Sequence, residues 1–369
     1  MNIGFDAKRA LNNHTGLGVY SRNLLNALFQ YFPNESYHLF SAAINEELLA
    51  ELKGVFRIHT PQTALSEMFP ALWRSKGIVS DLKTNRIQVF HGLSNELPIF
   101  GTSARPIKKV VTIHDLIFLK EQQQYPYIDR QIYKAKVSYA CKHADVIVAT
   151  SEQTKQDVVN YFNVSEQCIR VVYQNCDNRF FEPVSDAEKH AVRLRYDLPD
   201  RFILNVSSFF PRKNQITLIK AFAAICNKTN HHLILIGGNE SERNKCERLV
   251  EEMHLSERII FLSNIPASDM PVIYKLSDLF VYPSFFEGFG IPIVEALASG
   301  TSVLCSDIPC FRELGENMVG YFNPNEPLSL SEQMLSELAN IKKGSPIEKV
   351  VKRFSTLAFA KEMISVYTD

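Results

Sequence analysis

The sequence predicts an α/β protein built as two Rossmann-like domains facing a central cleft, and three observations predict it. Strand-like apolar runs alternate with helix-like segments through both halves, as in parallel sheets with crossover helices. At 369 residues the chain is too long for one ordinary core. The rhythm lapses once, over the polar stretch Arg179 to Pro199, which is read as the interdomain connection and gives domains over 1–185 and 200–354. Ligand is expected at the carboxyl ends of the strands.

Ile3 to Asp6 opens the first sheet, and a glycine loop, His14-Thr15-Gly16-Leu17-Gly18, follows it. The next helix carries Leu24, Leu25, Leu28, Phe29 and Phe32 at helical spacing. Further strands are expected at Tyr37 to Phe40, Val55 to His59, Ile87 to His91, Lys109 to Ile113, Val146 to Ala149 and Ile169 to Val172. The second domain opens at Arg201 to Val206 and runs on through a helix over 214–227 and a strand over His232 to Ile236. A helix over 241–253, strand Ile259 to Leu262, a helix over 268–276 and strand 279–282 come next. Ser302 to Cys305, Val319 to Phe322 and helices over about 327–341 and 355–367 complete it.

The stretch after Leu279 to Tyr282 carries the most information. A buried strand breaks into a loop with two glycines and enters a helix at Pro292, whose fixed φ suits a first helical turn; Gly300 is a favoured stop. The backbone through Gly288, Phe289, Gly290 and Ile291 then offers N–H groups and the positive end of a helix dipole to an anion such as phosphate. Glu287 lies on the loop and Glu295 is placed in the first helical turn, where it is expected to stay ionised and accept hydrogen bonds from a diol such as ribose. The alternative is a solvent-facing loop Glu and a helix-stabilising one.

Other positions are weaker alone. Gly16-Leu17-Gly18 lacks the third glycine of a dinucleotide loop, since residue 21 is Ser21, and by itself reads as a tight turn. His114 closes the strand Lys109 to Ile113, where it is either satisfied by a nearby carbonyl or placed for chemistry. His91 is a similar strand-end residue. Lys213, in Pro211-Arg212-Lys213-Asn214, is a candidate point charge on phosphate. Gly237 ends a strand where a base or ribose would pass close to the backbone.

Glu287 and Glu295, set in Pro-Ser-Phe-Phe-Glu-Gly-Phe-Gly-Ile-Pro-Ile-Val-Glu-Ala, resemble the signature of retaining nucleotide-sugar glycosyltransferases of the GT-B fold, glycosyltransferase family 4 (glycosyl transferases group 1). The resemblance spans nearly the whole chain. It implies that Lys213, with Arg212, meets the donor diphosphate, although Ser207 stands where many members carry an arginine. It implies that Gly16, Leu17 and Gly18 lie near the diphosphate and the acceptor, and that His114, in Ile-His-Asp, bonds the transferred sugar. Asn264 and Ile265 fall near the nucleobase seat, and the helix over 355–369 crosses back to the first domain.

Forty basic and forty acidic residues cancel, which removes the electrostatic case for a nucleic-acid partner. Seven cysteines, never spaced Cys-x-x-Cys, argue against structural zinc and a disulfide framework. No Asp-x-Asp occurs, so the expected reaction needs neither metal nor cofactor beyond the nucleotide sugar. No signal peptide and no apolar run of about 20 residues appears, and a cytoplasmic protein is expected. Met68, Phe69, Leu72, Trp73, Ile78, Val79 and Leu82 interleave with Arg74, Lys76, Lys83 and Arg86, which suits a peripheral contact with anionic lipid or a half-buried helix with a solvated face.

The expected activity is transfer of a hexose, with retention, from a nucleoside diphosphate sugar to a hydroxyl of a glycan or lipid-linked acceptor. Glu287 would face the sugar and Glu295 the ribose, with domain closure excluding water. Two alternatives stand beside it: a nucleotide-sugar epimerase or glycosyl phosphorylase of related fold, and a non-catalytic nucleotide-sugar-binding homologue.

Overall fold

A computed structural model describes residues 1–100, 107–121, 126–238, 240–341 and 347–369 and divides into two compact units. Unit 1 is Met1–Asn175 with Thr356–Asp369, and unit 2 is Cys176–Ser355.

Unit 1 holds β1 Asn2–Asp6, β2 Ser36–Phe40, β3 Arg57–His59, β4 Val89–Gly92, β5 Lys108–Ile113, β6 Val146–Ala149 and β7 Ile169–Val171. They form one parallel sheet in the order β3-β2-β1-β4-β5-β6-β7. The chain winds outward in one direction from β1 and in the other from β4, so the topological switch point lies between them. A strand covered on both faces needs an unbroken apolar run, and Val110, Val111 and Ile113 are fully buried. The helix Gly16–Tyr31 lays Leu24, Leu25 and Leu28 on the sheet. The last helix, Thr356–Thr368, belongs to this unit. Its Phe359, Met363, Val366 and Tyr367, at helical spacing, complete the same core.

Unit 2 holds β8 Phe202–Val206, β9 His232–Ile236, β10 Ile259–Leu262, β11 Leu279–Tyr282, β12 Ser302–Ser306 and β13 Gly320–Phe322. These also form one parallel sheet, in the order β10-β9-β8-β11-β12-β13. Its switch point lies between β8 and β11.

Three expectations change. The stretch 179–199 is part of unit 2 and not a linker. It contains the helix Asp186–Arg195, opened by a Ser185/Glu188 capping box, and is anchored by buried Phe180, whose ring meets Tyr274 edge-on at 5.5 Å. A mostly polar helix over a surface has no strand rhythm to read, so the unit boundary falls earlier, after Asn175.

Gly16, Leu17 and Gly18 are the first turn of the helix Gly16–Tyr31, not a loop. A Cβ on Gly18 would lie 1.8 Å from the Asn13 carbonyl oxygen, so chain packing by itself requires that glycine. Nothing lies within 4 Å of the equivalent position on Gly16.

The basic apolar stretch is not one amphipathic helix. It breaks into Pro70–Leu72, a π-helical turn Trp73–Gly77 and a helix Ile78–Thr84. Trp73, Ile78, Val79 and Leu82 are buried against Phe40 and Phe90, and Arg74 turns into an ion-pair network. Met68, Phe69 and Leu72 remain exposed. Among the described residues no helix is long and apolar enough to cross a membrane.

Candidate active site

At the unit 2 switch point the loops after β8 and β11 are laced together. The Arg212 carbonyl accepts from Phe285 N–H at 2.8 Å, and Asn214 Nδ2 donates to the carbonyls of Pro283 and Pro324. Pro211–Lys213 forms a single 3-10 turn, and Asn214 takes the left-handed conformation (φ 59°) that starts the helix Gln215–Ala223. This turn delivers Lys213, a buried lysine, to Glu287.

Glu287 is held on every side. Its Oε1 accepts from Lys213 Nζ at 2.5 Å, Ser284 Oγ at 2.8 Å and Tyr282 OH at 3.3 Å, while Oε2 lies 2.9 Å from Arg212. The Lys213 ammonium also donates to Tyr282 OH at 2.7 Å. Burial alone would push the carboxyl up. Lys213 and Arg212 outweigh it and hold the group at about 2. Two cations around one carboxylate leave this trio net positive, which is what a diphosphate requires. Glu287 is thus no solvent-facing loop residue, and neither carboxylate oxygen stands idle.

The following helix begins at Ile291, one residue before the expected entry at Pro292, with Gly290 as its N-cap at φ +118°. Only glycine takes that conformation without strain, and a Cβ there would also meet the Phe311 ring at 2.8 Å. Among the described residues the N–H groups of Gly290 and Ile291 meet no acceptor, so these two amides remain for an anion. Phe289 points its ring into the unit against Phe354, and Gly288 is the preceding link of the loop.

The earlier helix start moves Glu295 out of the first turn, where it was expected to remain ionised. Tyr274 OH donates to its Oε2 at 3.0 Å, and burial raises the carboxyl to about 7, so near neutrality it is divided between its two forms. The Gly237 expectation also changes. A Cβ there would lie 1.9 Å from the Ser207 carbonyl oxygen, so the glycine lets β9 approach the loop after β8 and needs no ligand to explain it. Asn264, in the left-handed conformation (φ 55°), and Ile265 follow β10 at the carboxyl edge of the same sheet.

In unit 1, His114 is buried at the end of β5. Its Nε2–H donates to the Leu93 carbonyl at 2.8 Å, and burial lowers the imidazole to about 4, so it is neutral with Nδ1 as an acceptor. Nδ1 meets no partner among the described residues and is not sealed in the core. His91 is structural: Nδ1 meets Tyr367 OH at 2.7 Å and Nε2 meets Thr112 Oγ1 at 2.8 Å.

The structure therefore gathers Glu287, Lys213, Arg212, Gly290 and Ile291 at one switch point, with Glu295 one helical turn on. Sequence reasoning missed Tyr282, Ser284 and Tyr274, which complete the hydrogen bonding of the two carboxylates. The Ser284/Glu287 spacing was the one readable hint.

The model for glycosyl transferases group 1 matches residues 186–346, and that for glycosyltransferase family 4 matches 15–177. The chain belongs to this glycosyltransferase family. The O-antigen chain mannosyltransferase B of Escherichia coli is 29% identical over 70% of this chain and 67% of its own length. The O-antigen chain mannosyltransferase RfbU of Salmonella typhimurium is 27% identical over 60% of this chain and 58% of its own. The serotype-specific mannosyltransferase WbdA of Escherichia coli is 29% identical, with 64% of this chain matching 30% of its length. These alignments thus span about a third to two thirds of the curated relatives. Among solved structures, Anabaena HepE in complex with UDP-glucose superposes with a TM-score of 0.78 at 17% identity, covering 100% of this chain and 99% of that one. A glycosyltransferase from Rickettsia africae gives 0.77 at 18% identity, covering 100% and 97%. The two-domain GT-B fold is the architecture of this glycosyltransferase.

Proposed function

We propose that this glycosyltransferase moves a hexose, mannose foremost, from a nucleoside diphosphate sugar to a hydroxyl of a growing polysaccharide or glycolipid, with retention. The observation that carries the reading is the Lys213–Arg212–Glu287 cluster beside the open amides of Gly290 and Ile291. An arriving diphosphate exchanges with Glu287 for the two cations. Freed from them, the carboxylate becomes a stronger acceptor, placed to hold a sugar hydroxyl as positive charge develops at the anomeric carbon. The cations and amides stabilise the departing phosphate, which on same-face attack takes the acceptor's proton, so that no separate base and no metal is invoked. Glu295 accepts from ribose hydroxyls in its ionised form. His114 Nδ1 accepts from a sugar hydroxyl. The mannosyl preference comes from the mannosyltransferase relatives.

A thermal-shift screen with GDP-mannose, UDP-glucose, UDP-galactose and ADP-glucose, followed by NMR of the product anomer, tests this. A rise in melting temperature with one donor and an α-glycoside from an α-donor are expected. No shift with any donor, or an inverted anomer, refutes it. An epimerised donor or phosphate-dependent glycan breakdown would instead identify the alternative enzymes. The lipid contact narrows to the exposed Met68, Phe69 and Leu72; equal sedimentation with and without anionic liposomes removes it.

A further inference from the structure

The unit 1 switch point carries a charged constellation that the reading above does not use. It sits at the ends of the adjacent strands β1 and β4, where Asp6 pairs with Gly92. In open α/β sheets that crevice is where ligands bind. Gly92 lets the chain fold tightly after β4, since a Cβ there would lie 2.0 Å from the Glu96 carbonyl oxygen. The π-helical turn Trp73–Gly77 sends Arg74 to both carboxylates of the edge: its guanidinium lies 2.7 Å from Asp6 and 2.5 Å from Glu96, and Lys136 adds a second contact to Glu96 at 3.2 Å.

That network consumes both carboxylates and leaves two cations over. Lys8 and Arg9 stand directly after β1, and neither side chain has a hydrogen bond or ion pair among the described residues. Arg9 is half-buried. Lys8 is exposed; partial burial and the Arg74 and Arg9 charges outweigh Glu96 and Asp6 and disfavour its protonated form, and Arg9 adds positive field at His114, two strands along the same edge. With Asp6 and Glu96 negative and Lys8, Arg9, Arg74 and Lys136 positive, the edge holds an excess of positive charge. Like charges gathered at one strand edge repel one another, and an anion bound among them relieves that repulsion.

We infer that Lys8 and Arg9 form an anion-recognition site for the acceptor, which therefore carries a phosphate or carboxylate near its accepting hydroxyl. This rests on the transferase reading for the word acceptor, but the charge preference itself is a binding property. Two sources share the chemistry: the phosphate of a lipid carrier and an acidic group on the glycan.

Isothermal titration of the full chain, without donor, separates them. Three ligands are compared: a neutral octyl hexoside, the same hexose on citronellyl diphosphate, and the octyl hexoside bearing a 6-phosphate. At least one anionic ligand should bind about tenfold more tightly than the neutral one, with the advantage shrinking in high salt. The winning anion identifies the source. Lys8→Gln and Arg9→Gln should each remove most of the advantage, whereas Lys53→Gln, an equal charge change at the opposite edge before β3, should keep it. Equal binding of neutral and anionic ligands, no binding of any, or an advantage surviving in the Lys8→Gln/Arg9→Gln double variant overturns the inference. Sugar transfer from added donor to the same three ligands is followed in parallel. If no sugar from any of the four donors reaches the winning ligand once donor is added, while the charge preference holds, the transferase reading fails and the anion site stands.

Discussion

Glu295 turns the local environment of one carboxyl into a measurable pH dependence. Burial raises it to about 7, and a ribose diol, which donates two hydrogen bonds, selects the ionised form. Apparent affinity then scales with the ionised fraction, about one half at pH 7 and about one tenth at pH 6. The Kd for GDP-mannose should therefore rise about tenfold from pH 8.5 to pH 6. The sugar diphosphate has no group titrating in that window, so the dependence reports the protein. Calorimetry at pH 7 in buffers of different ionisation enthalpy should detect about half a proton released per ligand bound. Glu295→Gln should bind more weakly than the wild type at pH 8.5, by about 1–3 kcal/mol, and lose the pH dependence. The same shift bears on folding. A carboxyl whose folded value is raised stabilises fully below its ordinary 4.5, and that contribution is lost as pH rises from 4.5 to about 7. A Kd flat between pH 6 and 8.5, or a slope that survives Glu295→Gln, refutes the assignment.

Two further predictions follow from the same unit. Glu287→Gln strands Lys213 and Arg212 as buried cations and should destabilise the protein by about 3–5 kcal/mol in urea unfolding while lowering kcat by about 100-fold or more. Because Glu287 is held at about 2, wild-type stability from this group should persist above its ordinary 4.5 and fade between pH 4.5 and 2, a fade absent from the variant. Gly237→Ala places a methyl on the Ser207 carbonyl oxygen and should cost about 1–3 kcal/mol, whereas Gly238→Ala, with nothing within 4 Å, should change the melting temperature little.

The sheet strands were legible because a strand buried on both faces is a mostly apolar run, as in Leu233 to Ile236 of β9 and the whole of β11. The strand–loop–helix around Glu287 was legible for the same reason, with Pro292 and Gly300 marking the helix. Its true start at Ile291 was not, because that depends on the positive φ of Gly290, which sequence spacing does not fix. Gly18 and Gly237 looked like ligand-facing glycines; both serve close chain approaches that only the folded backbone reveals. Trp73 and Arg74 looked like one amphipathic face, but a π-helical turn rotates one into the core and the other toward Asp6. The electrostatic partners of Arg74 lie 68 and 22 residues away, beyond any local pattern.

The final helix has a consequence for biosynthesis. Tyr367 hydrogen-bonds His91, and Phe359 and Met363 fill the space beside the helix Gly16–Tyr31. The half of the molecule translated first therefore lacks part of its interior until residues 356–368 have been synthesised. Unit 2, contiguous from Cys176 to Ser355, has its whole sequence available sooner. Maturation would run against the direction of synthesis, and a stop codon just before residue 356 would spare all of unit 2 while leaving the amino-terminal core open.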